Sequence, residues 1–449
     1  MAFKIKLPTK VNMIINSLIE NEHKAYVVGG CVRDSIMGRE PHDWDICTSA
    51  STNEIMSVFK DYEIIPTGLK HGTVTIIVGQ ESYEITTFRI DGDYLDNRRP
   101  SEVIFTDSIE EDLKRRDFTI NAMAYNDVEG LLDPFNGKAD IERKLIKCVG
   151  KAEDRFNEDA LRILRALRFA SQLGFDIEEN TSKAMKSLKE NLRNISVERI
   201  NSELCKAIKG TRFSAIISEY REILVEFIPE FKDTIGFNQN NPYHAYDVFE
   251  HTVHALENCP NELVTSLAVL FHDIGKPHCY TDGEDGYRHF KGHGKVSAEI
   301  TKNILERLRF DNRTCEEVVQ LVYYHDATFE VGTKYVKRWL NKIGEEQFHR
   351  LLNIRIADIM GQSDAWKTNP ERIDKVHNMR KAFSSVLMEG SCFTLKKLAI
   401  NGNDLILLGY KQGKELGDML NSLLQKIIDE ELENDRDELL DYVRRNGKV

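Results

Sequence analysis

The sequence predicts an α+β unit over roughly the first 135 residues, followed by helix for nearly all of the remainder. Two observations carry this. Short apolar, β-branched runs (KAYVVGG, DWDIC, HGTVTIIV, YEITTFRI) recur up to about residue 90 with the length and composition of strands. From about 137 onward, apolar residues instead repeat at helical spacing, as in ALRILRALRFASQLGF and ISVERINSELCKAI. The ten prolines are too few to break many helices.

In chain order, residues 8–22 read as an amphipathic helix. KAYVVGG is a strand ending in two glycines. CVRDSIMG starts a helix closed by Gly38, and DWDIC is the next strand. Segment 278–292, rich in Gly, Asp and His, is the clearest loop. A second loop is expected at 361–371, after a helix carrying RIADIMG, and 429–438 is an acidic solvated stretch. There is no internal repeat. The expected boundaries are 1–136, 137–205, 206–365 and 366–449.

Composition excludes several classes. No apolar run approaches the roughly 20 residues of a membrane span, and the N-terminus lacks the apolar core of a signal peptide. The eight cysteines contain no CxxC pair, so neither a zinc ribbon nor a redox motif is expected, and a reducing cytoplasm is. The net charge of −12 by itself argues against nucleic acid. Clustered catalytic carboxylates can mask a basic face, however. The mildest hint of one is 367–397, with seven Lys or Arg against three acids.

Asp43 and Asp45 stand two apart in HDWDIC. On a strand they share a face, and their repulsion calls for a cation, for which Mg²⁺ in phosphoryl transfer is the expected partner. A bare DxD is more often two solvated side chains at a strand end. Its neighbours change that reading. Gly29 and Gly30 end a strand upstream, and Arg33 and Asp34 follow at a helix start, where bare backbone N–H groups can hold a triphosphate. Glu84, in YEITTFR, is the candidate third carboxylate, with a surface strand position as the alternative.

EEDLKRRDFTINAMAYN brings Arg115, Arg116, Asp117 and Asn121 within seven residues. At i and i+4 of a helix, Asp117 and Asn121 share a face able to bind a ribose, while Arg116 meets a phosphate. Helix capping is the competing reading. In NEDALRILRALRFA, Glu158, Asp159, Arg162 and Arg165 fall at i, i+1, i+4 and i+7. Asp159 and Arg162, one turn apart, can accept from and donate to a base edge. Alone, they would be an ordinary surface ion pair.

These motifs, with TGLKHGTVTI, the RIDGDYLDNRRP stretch, DPFNG and SVERINSEL, stand in order across residues 26–204. Together they resemble the class II tRNA nucleotidyltransferases, a family of CCA-adding, A-adding and CC-adding enzymes and bacterial poly(A) polymerases. The resemblance implies a polymerase-β-like nucleotidyltransferase head (1–136), a helical neck carrying the nucleotide template (137–205), a helical body (206–365) and a tRNA-binding tail (366–449). It implies Mg²⁺ on Asp43 and Asp45 and a triphosphate on Gly29, Gly30 and Arg33. It gives phosphate and ribose contacts to Arg116, Asp117 and Asn121. The template for CTP and ATP would be Glu158, Asp159, Arg162 and Arg165, supported by Glu198 and Arg199. The implied partner is the tRNA 3′ end.

The stretch from Arg89 to Pro100 resembles the loop needed for A addition. TGLKHGTVTI resembles the tRNA enzymes rather than the poly(A) polymerases, and LAINGNDLILLGYKQGKELGDML resembles the tail of CCA-type enzymes, with Gly409, Gly413 and Gly417 at a helix junction.

A third constellation begins at 244. His251, the pair His272-Asp273 followed by IGKP, then His293, His325 and Asp358 offer imidazole and carboxylate donors. The pattern resembles the HD phosphohydrolase superfamily. That resemblance implies a divalent ion, Mg²⁺ or a transition metal, with room for a second at His293 and His325, and hydrolysis of phosphate esters. A degenerate structural domain is the competing reading. For the whole chain, two other readings stay open: a poly(A) polymerase, and a metal phosphohydrolase whose N-terminal part recruits RNA. A pure RNA-binding module ranks last, since it leaves the carboxylates without purpose.

Overall fold

AYVV at Ala25–Val28 (β1) is buried at all four positions, as a central strand with both faces covered must be. The computed structural model describes residues 4–66, 68–91 and 103–446. Along the chain follow β2 (Ile46–Thr48), β3 (Glu63–Ile65), β4 (Thr73–Val78), β5 (Glu81–Thr87), β6 (Arg89–Asp91), β7 (Val103–Phe105), β8 (Ala124–Asn126) and β9 (Gly130–Leu132). Seven of them form one sheet in the order β3-β4-β5-β2-β1-β8-β9, and β6 and β7 form a separate ribbon. β4 shows why the sheet has a core side: TVTIIV alternates, burying Val74, Ile76 and Val78. Helix Thr9–Glu20 buries Val11, Ile14, Ile15 and Leu18, one stripe at i, i+3, i+4 and i+7.

Within the seven-stranded sheet all pairs are antiparallel except β2 on β5. That one parallel pair, with Ile46 opposite Ile85, brings the residue before β2, Asp45, alongside Glu84. Of the stretch Arg89 to Pro100, which resembles the loop needed for A addition, Arg89–Asp91 form β6, and positions 92–100 lie outside the described residues.

By internal packing the chain divides into Met1–Pro229 and Glu230–Val449. The helical part of the first unit is held by Leu161–Leu173 against Val197–Ala207. Arg168 pairs with Glu203 at 3.1 Å and Ser171 Oγ donates to the Ala207 carbonyl at 2.7 Å. The second unit is helical apart from a two-residue hairpin, Thr281–Asp282 with Arg288–His289, inside the segment expected as a loop. The other expected loop, 361–371, contains the short helix Asp364–Lys367, and the long helix Pro370–Met388 begins within it. Near the C-terminus, Leu405, Leu423, Ile428, Leu439 and Val443 form a separate apolar core. Among the described residues no helix is long and apolar enough to cross a membrane.

Candidate functional site

Three local structures differ from the sequence expectation, and each difference shapes the site. β2 begins at Ile46, so Asp43 and Asp45 sit in the segment entering the strand rather than on it. Asp117 lies in a bend and Asn121 in a 3₁₀ turn, Thr119–Asn121, not on one α-helix. The cause is local: Asp117 Oδ1 accepts from the next backbone N–H, of Phe118, at 2.8 Å, which competes with helix. The helix through NEDALRILRALRFA is broken. Ala152–Glu158 stops at Asp159, whose backbone is extended (φ −141°, ψ 101°), and Leu161–Leu173 starts anew. Asp159 Oδ1 takes the N–H of Leu161 at 3.1 Å, the same competition again.

Despite these changes the residues converge. One hollow of about 460 Å³ is lined by Gly29, Gly30, Arg33, Asp45, Arg116, Asp117, Asn121, Asp159, Arg162 and Arg165, with Arg115, Leu161, Arg168, Phe169 and Arg199. Its wall carries seven arginines against three aspartates. A chain of net charge −12 thus gathers seven guanidinium groups around one cavity, each also paired with a carboxylate in the wall or behind it, and their remaining donors suit an anion.

The arginines are held by a connected network. Asp117 joins three elements: its Oδ2 accepts from Arg165 Nε at 2.7 Å and its Oδ1 from Asn121 Nδ2 at 3.2 Å. Asn121 Oδ1 accepts from Arg33 Nη1 at 2.7 Å. Buried Asp112 accepts from Arg115 at 2.7 Å and Arg116 at 3.1 Å. The Arg33, Arg165 and Arg168 guanidinium groups lie 4.2–5.5 Å from the Phe169 ring centre, a cation–π support that no sequence pattern announced. Gly29, at φ +76°, holds a backbone conformation that strains an L side chain, and a Cβ there would stand 2.9 Å from Arg116 Nη1, which would have to shift.

Asp159 and Arg162 do not form the ordinary surface ion pair that was the alternative to a base-reading role. Asp159 pairs with Arg199 at 2.7 Å, and Arg162 pairs with Glu158 at 2.5 Å. Arg162 also donates to the carbonyls of Arg115 and Arg155. Glu158 turns to Arg155 and Arg162 and does not line the hollow. Glu198 is exposed.

Burial would push the Asp117 carboxyl up, but Arg165 and Arg162 with the Arg165 and Asn121 hydrogen bonds override it and hold it at about 2. A depressed carboxylate stabilises the fold fully above its ordinary value and loses that contribution as pH falls through the folded value. The stability difference between wild type and Asp117→Asn is therefore expected to be full above about pH 4 and to shrink toward pH 2. Chemical unfolding across that range checks it, and a difference that stayed constant would refute it.

On the adjoining side, Asp45 and Glu84 line a second hollow of about 180 Å³. Burial raises the pKa of Asp45, Arg116 opposes the rise, and Asp43 adds to it. The two aspartates form an all-oxygen donor set whose mutual repulsion a hard divalent cation would relieve.

In the second unit, His251, His272, Asp273, His293, His325 and Asp358 are brought together. The donor atoms of His251, His272 and Asp273 lie within 4.8 Å of one another, as do those of Asp273, His293 and His325. Asp358 Oδ1 is 3.1 Å from His251 Nε2. Each histidine turns Nδ1 to a backbone carbonyl: His251 to Gly361 (3.0 Å), His272 to Val269 (2.7 Å), His293 to Phe290 (2.8 Å) and His325 to Val322 (2.6 Å). A carbonyl only accepts, so Nδ1 carries a proton and each ring turns Nε2 inward, where a neutral ring offers a lone pair. The Nε2 atoms of His251 and His272 are 3.1 Å apart, and those of His293 and His325 2.9 Å. Facing lone pairs at that distance fit a cation between them. The carboxylates favour positive charge at this place: burial opposes protonation of His251, yet hydrogen bonds to Asp273 and Asp358 push its pKa up to about 9, so near neutral pH its Nε2 lone pair is free only where a cation displaces the proton.

Residues 25–147 match the family model of the poly(A) polymerase head domain, and 289–443 that of tRNA nucleotidyltransferase domain 2. A CCA-adding enzyme of Oceanobacillus iheyensis is 48% identical over 224 residues, 50% of this chain and 56% of that protein. The CCA-adding enzyme of Staphylococcus aureus strain Newman is 32% identical over 439 residues, 97% of each chain. The crystal structure of the Bacillus stearothermophilus CCA-adding enzyme in complex with CTP is 27% identical, with a TM-score of 0.71, over 99% of this chain and 98% of that one. Similarity to the Staphylococcus enzyme along nearly the whole of both chains shows that this chain belongs to the CCA-adding tRNA nucleotidyltransferase family.

Proposed function

We propose that the chain adds CCA to the 3′ end of tRNA from CTP and ATP. The observation that carries this is the single arginine-lined hollow joining Gly29, Arg33, Arg116, Asp117 and Asp159 beside Asp45. The tRNA 3′-oxygen attacks the α-phosphorus, the bond to the β-phosphate oxygen breaks, and pyrophosphate leaves. Mg²⁺ bound at Asp43 and Asp45 would supply charge neutralisation and lower the pKa of the attacking hydroxyl. Glu84 stands alongside as third carboxylate. Gly29 lets the backbone approach the triphosphate, Arg33 and Arg116 neutralise it, and Asp117 and Asn121 orient the ribose. Asp159 and Arg162, steadied by Arg199 and Glu158, face the base, and Arg165 orders Asp117. In domain terms we assign the head to 1–136, the neck to 137–205, the body to 206–365 and the tail to 366–449.

The test uses tRNA transcripts lacking CCA, ending in C and ending in CC, with labelled CTP and ATP and an unstructured RNA control. Full CCA on the first supports the reading. Addition of A to the CC-ended transcript alone makes it an A-adding enzyme, and long A tails on the control make it a poly(A) polymerase. Arg162→Ala is expected to lower discrimination between CTP and ATP by about tenfold, the order expected for one lost base contact. Unchanged kcat/KM ratios would locate base reading elsewhere.

The four inward Nε2 atoms favour a second activity, hydrolysis of phosphate esters at an HD-type centre. Its imidazole and carboxylate donors suit a divalent transition ion. Such an ion would polarise a phosphate and activate water, while the chain's part is to fix the four rings through their Nδ1 bonds.

A further inference from the structure

Two short segments of the second unit flank the HD-type centre. Residues 239–246 precede the helix Val248–Glu257, which carries His251, and residues 361–372 follow the helix Glu345–Met360, which carries Asp358. The segments are joined: the Gly361 carbonyl accepts from His251 Nδ1 at 3.0 Å, and the Ser363 N–H donates to the Tyr243 carbonyl at 3.1 Å. We propose that this flank is the phosphate seat of the centre, with Arg372 and His244 holding the phosphoryl oxygens of the ester. The inference rests on the phosphate-ester reading and adds the residues that bind the substrate.

Arg372 carries the charge. Gln362, buried at 6% exposure, donates from Nε2 to Asp358 Oδ1 at 3.4 Å, and its Oε1 accepts from Arg372 Nη1. One amide thus separates the guanidinium from a carboxylate of the centre. In direct contact it would compete with an ion for the Asp358 lone pairs, whereas at this remove it keeps positive charge beside the centre and leaves the donor free. The guanidinium carbon lies 5.6 Å from the Trp366 ring centre, and Trp366 packs edge-on against Tyr243 at 4.2 Å. An aromatic face steadies a guanidinium without consuming its N–H groups. Among the described residues Arg372 donates to Gln362 alone, so the rest of its fork, which matches a phosphate, stays open. Arg355, on the Asp358 helix, is the contrast. It spends Nη1 on the His325 carbonyl at 2.7 Å and Nη2 on the Ala327 carbonyl at 3.0 Å.

His244 supplies the second contact. Its ring stands edge-on to that of His251, 5.0 Å between centres at 83°. The four histidines of the centre each place Nδ1 on a carbonyl. His244 Nδ1 is buried without a partner among the described residues. A buried nitrogen left open is unfavourable until a partner completes it. The loop is tied on both sides of His244. Gln239 Nε2 donates to the Tyr246 carbonyl at 3.2 Å, and Gln239 Oε1 accepts from Lys276 Nζ at 2.9 Å. Lys276 in turn pairs with Asp273 at 2.6 Å, so the loop is fixed to the carboxylate that both donor triads share. A phosphate brings negative charge to a centre already holding Asp273 and Asp358. An ion answers part of that repulsion, and a guanidinium with open donors answers more.

The experiment uses the full chain loaded with Ni²⁺ or Mn²⁺, as wild type, Arg372→Gln, Arg372→Lys and His244→Gln. It reads the affinity for inorganic phosphate by calorimetry, KM for p-nitrophenyl phosphate and its bis ester, and metal content by atomic emission. Arg372→Gln is expected to weaken phosphate binding and raise KM by about tenfold or more, the order of a lost charge-assisted hydrogen bond, with metal content unchanged. Arg372→Lys should recover part of that loss, since it keeps the charge without the fork. His244→Gln should weaken phosphate binding severalfold, and unchanged values there would overturn its part in the seat. With wild type active, phosphate affinity and KM at wild-type values in Arg372→Gln overturn the seat alone. Loss of metal in that variant overturns it too, because Arg372 would then act on Asp358 through Gln362. A wild type that neither binds phosphate nor hydrolyses either ester removes the parent reading, and the seat with it.

Discussion

Asp45→Asn is expected to reduce nucleotide addition by about a thousandfold or more, the scale of losing a transition-state charge partner, about 4 kcal/mol. The fold should not suffer. Burial and the neighbouring Asp43 raise the Asp45 pKa against the pull of Arg116, so ionised Asp45 is less favourable in the folded chain than in the unfolded one. A neutral isostere removes that strain, and the unfolding midpoint should stay level or rise, as at other sites where function is bought with stability. Asp43→Asn should lose activity to a similar degree. Single-turnover extension of CC-ended tRNA with thermal unfolding reads both quantities. Addition within about tenfold of wild type by either variant would refute the assignment of the two carboxylates.

The second large effect is expected at Asp273. Its side chain is 2% exposed, with Lys276 Nζ at 2.6 Å and the Nε2 atoms of His272 and His293 each at 3.2 Å. Lys276 is itself buried, and its other neighbours are uncharged: Gln239 Oε1 at 2.9 Å and the Phe290 ring at 5.3 Å. Asp273→Asn deletes the one charge shared by both donor triads and leaves the Lys276 ammonium without a counter-ion. Breaking a buried pair in this way costs about 3–5 kcal/mol. Metal retained after dialysis should fall to background, measured by atomic emission on protein loaded with Ni²⁺ or Mn²⁺. Asp358→Asn reads the same centre at less structural cost, because its carboxylate is more open, at 15%. It should lose metal and any phosphatase activity while tRNA extension stays within about threefold. Full metal retention in both variants would place the ion away from Asp273 and Asp358, and a wild type that retains none would show that the histidines are a packing feature.

What could be read in advance depended on how local the cause was. GG, DWD, RRD and HD are short words whose chemistry lies in the residue types, so the candidates at 29–45, 116–121 and 272–273 were legible. So was the succession from strands to helices, because periods of 2 and 3.6 are written along the chain. Phe169 was not legible as a support for three arginines: in LRILRALRFA it is one more apolar position on a helix. Asp112 was hidden likewise, as one of three acids in the first turn of Ile109–Lys114, where a helix dipole alone accounts for them.

The partners of Asp159 and Arg162 were hidden for the same reason. Spacing within one helix set the two on one face, as base readers or as an ordinary ion pair. The helix breaks at Asp159, and Arg199, 40 residues on, takes its carboxylate. An ion pair between distant segments is a product of packing, and no local period encodes it. The sequence by itself determined which chemistry-bearing groups the chain owns and the elements that carry them, because covalent spacing and hydrophobic period act over a few residues. Tertiary structure alone decided which groups meet. The parallel seating of β2 on β5 brings Asp45 beside Glu84, and the closure of helices around Asp273 turns four Nε2 atoms inward, since both depend on burial that only the folded chain creates.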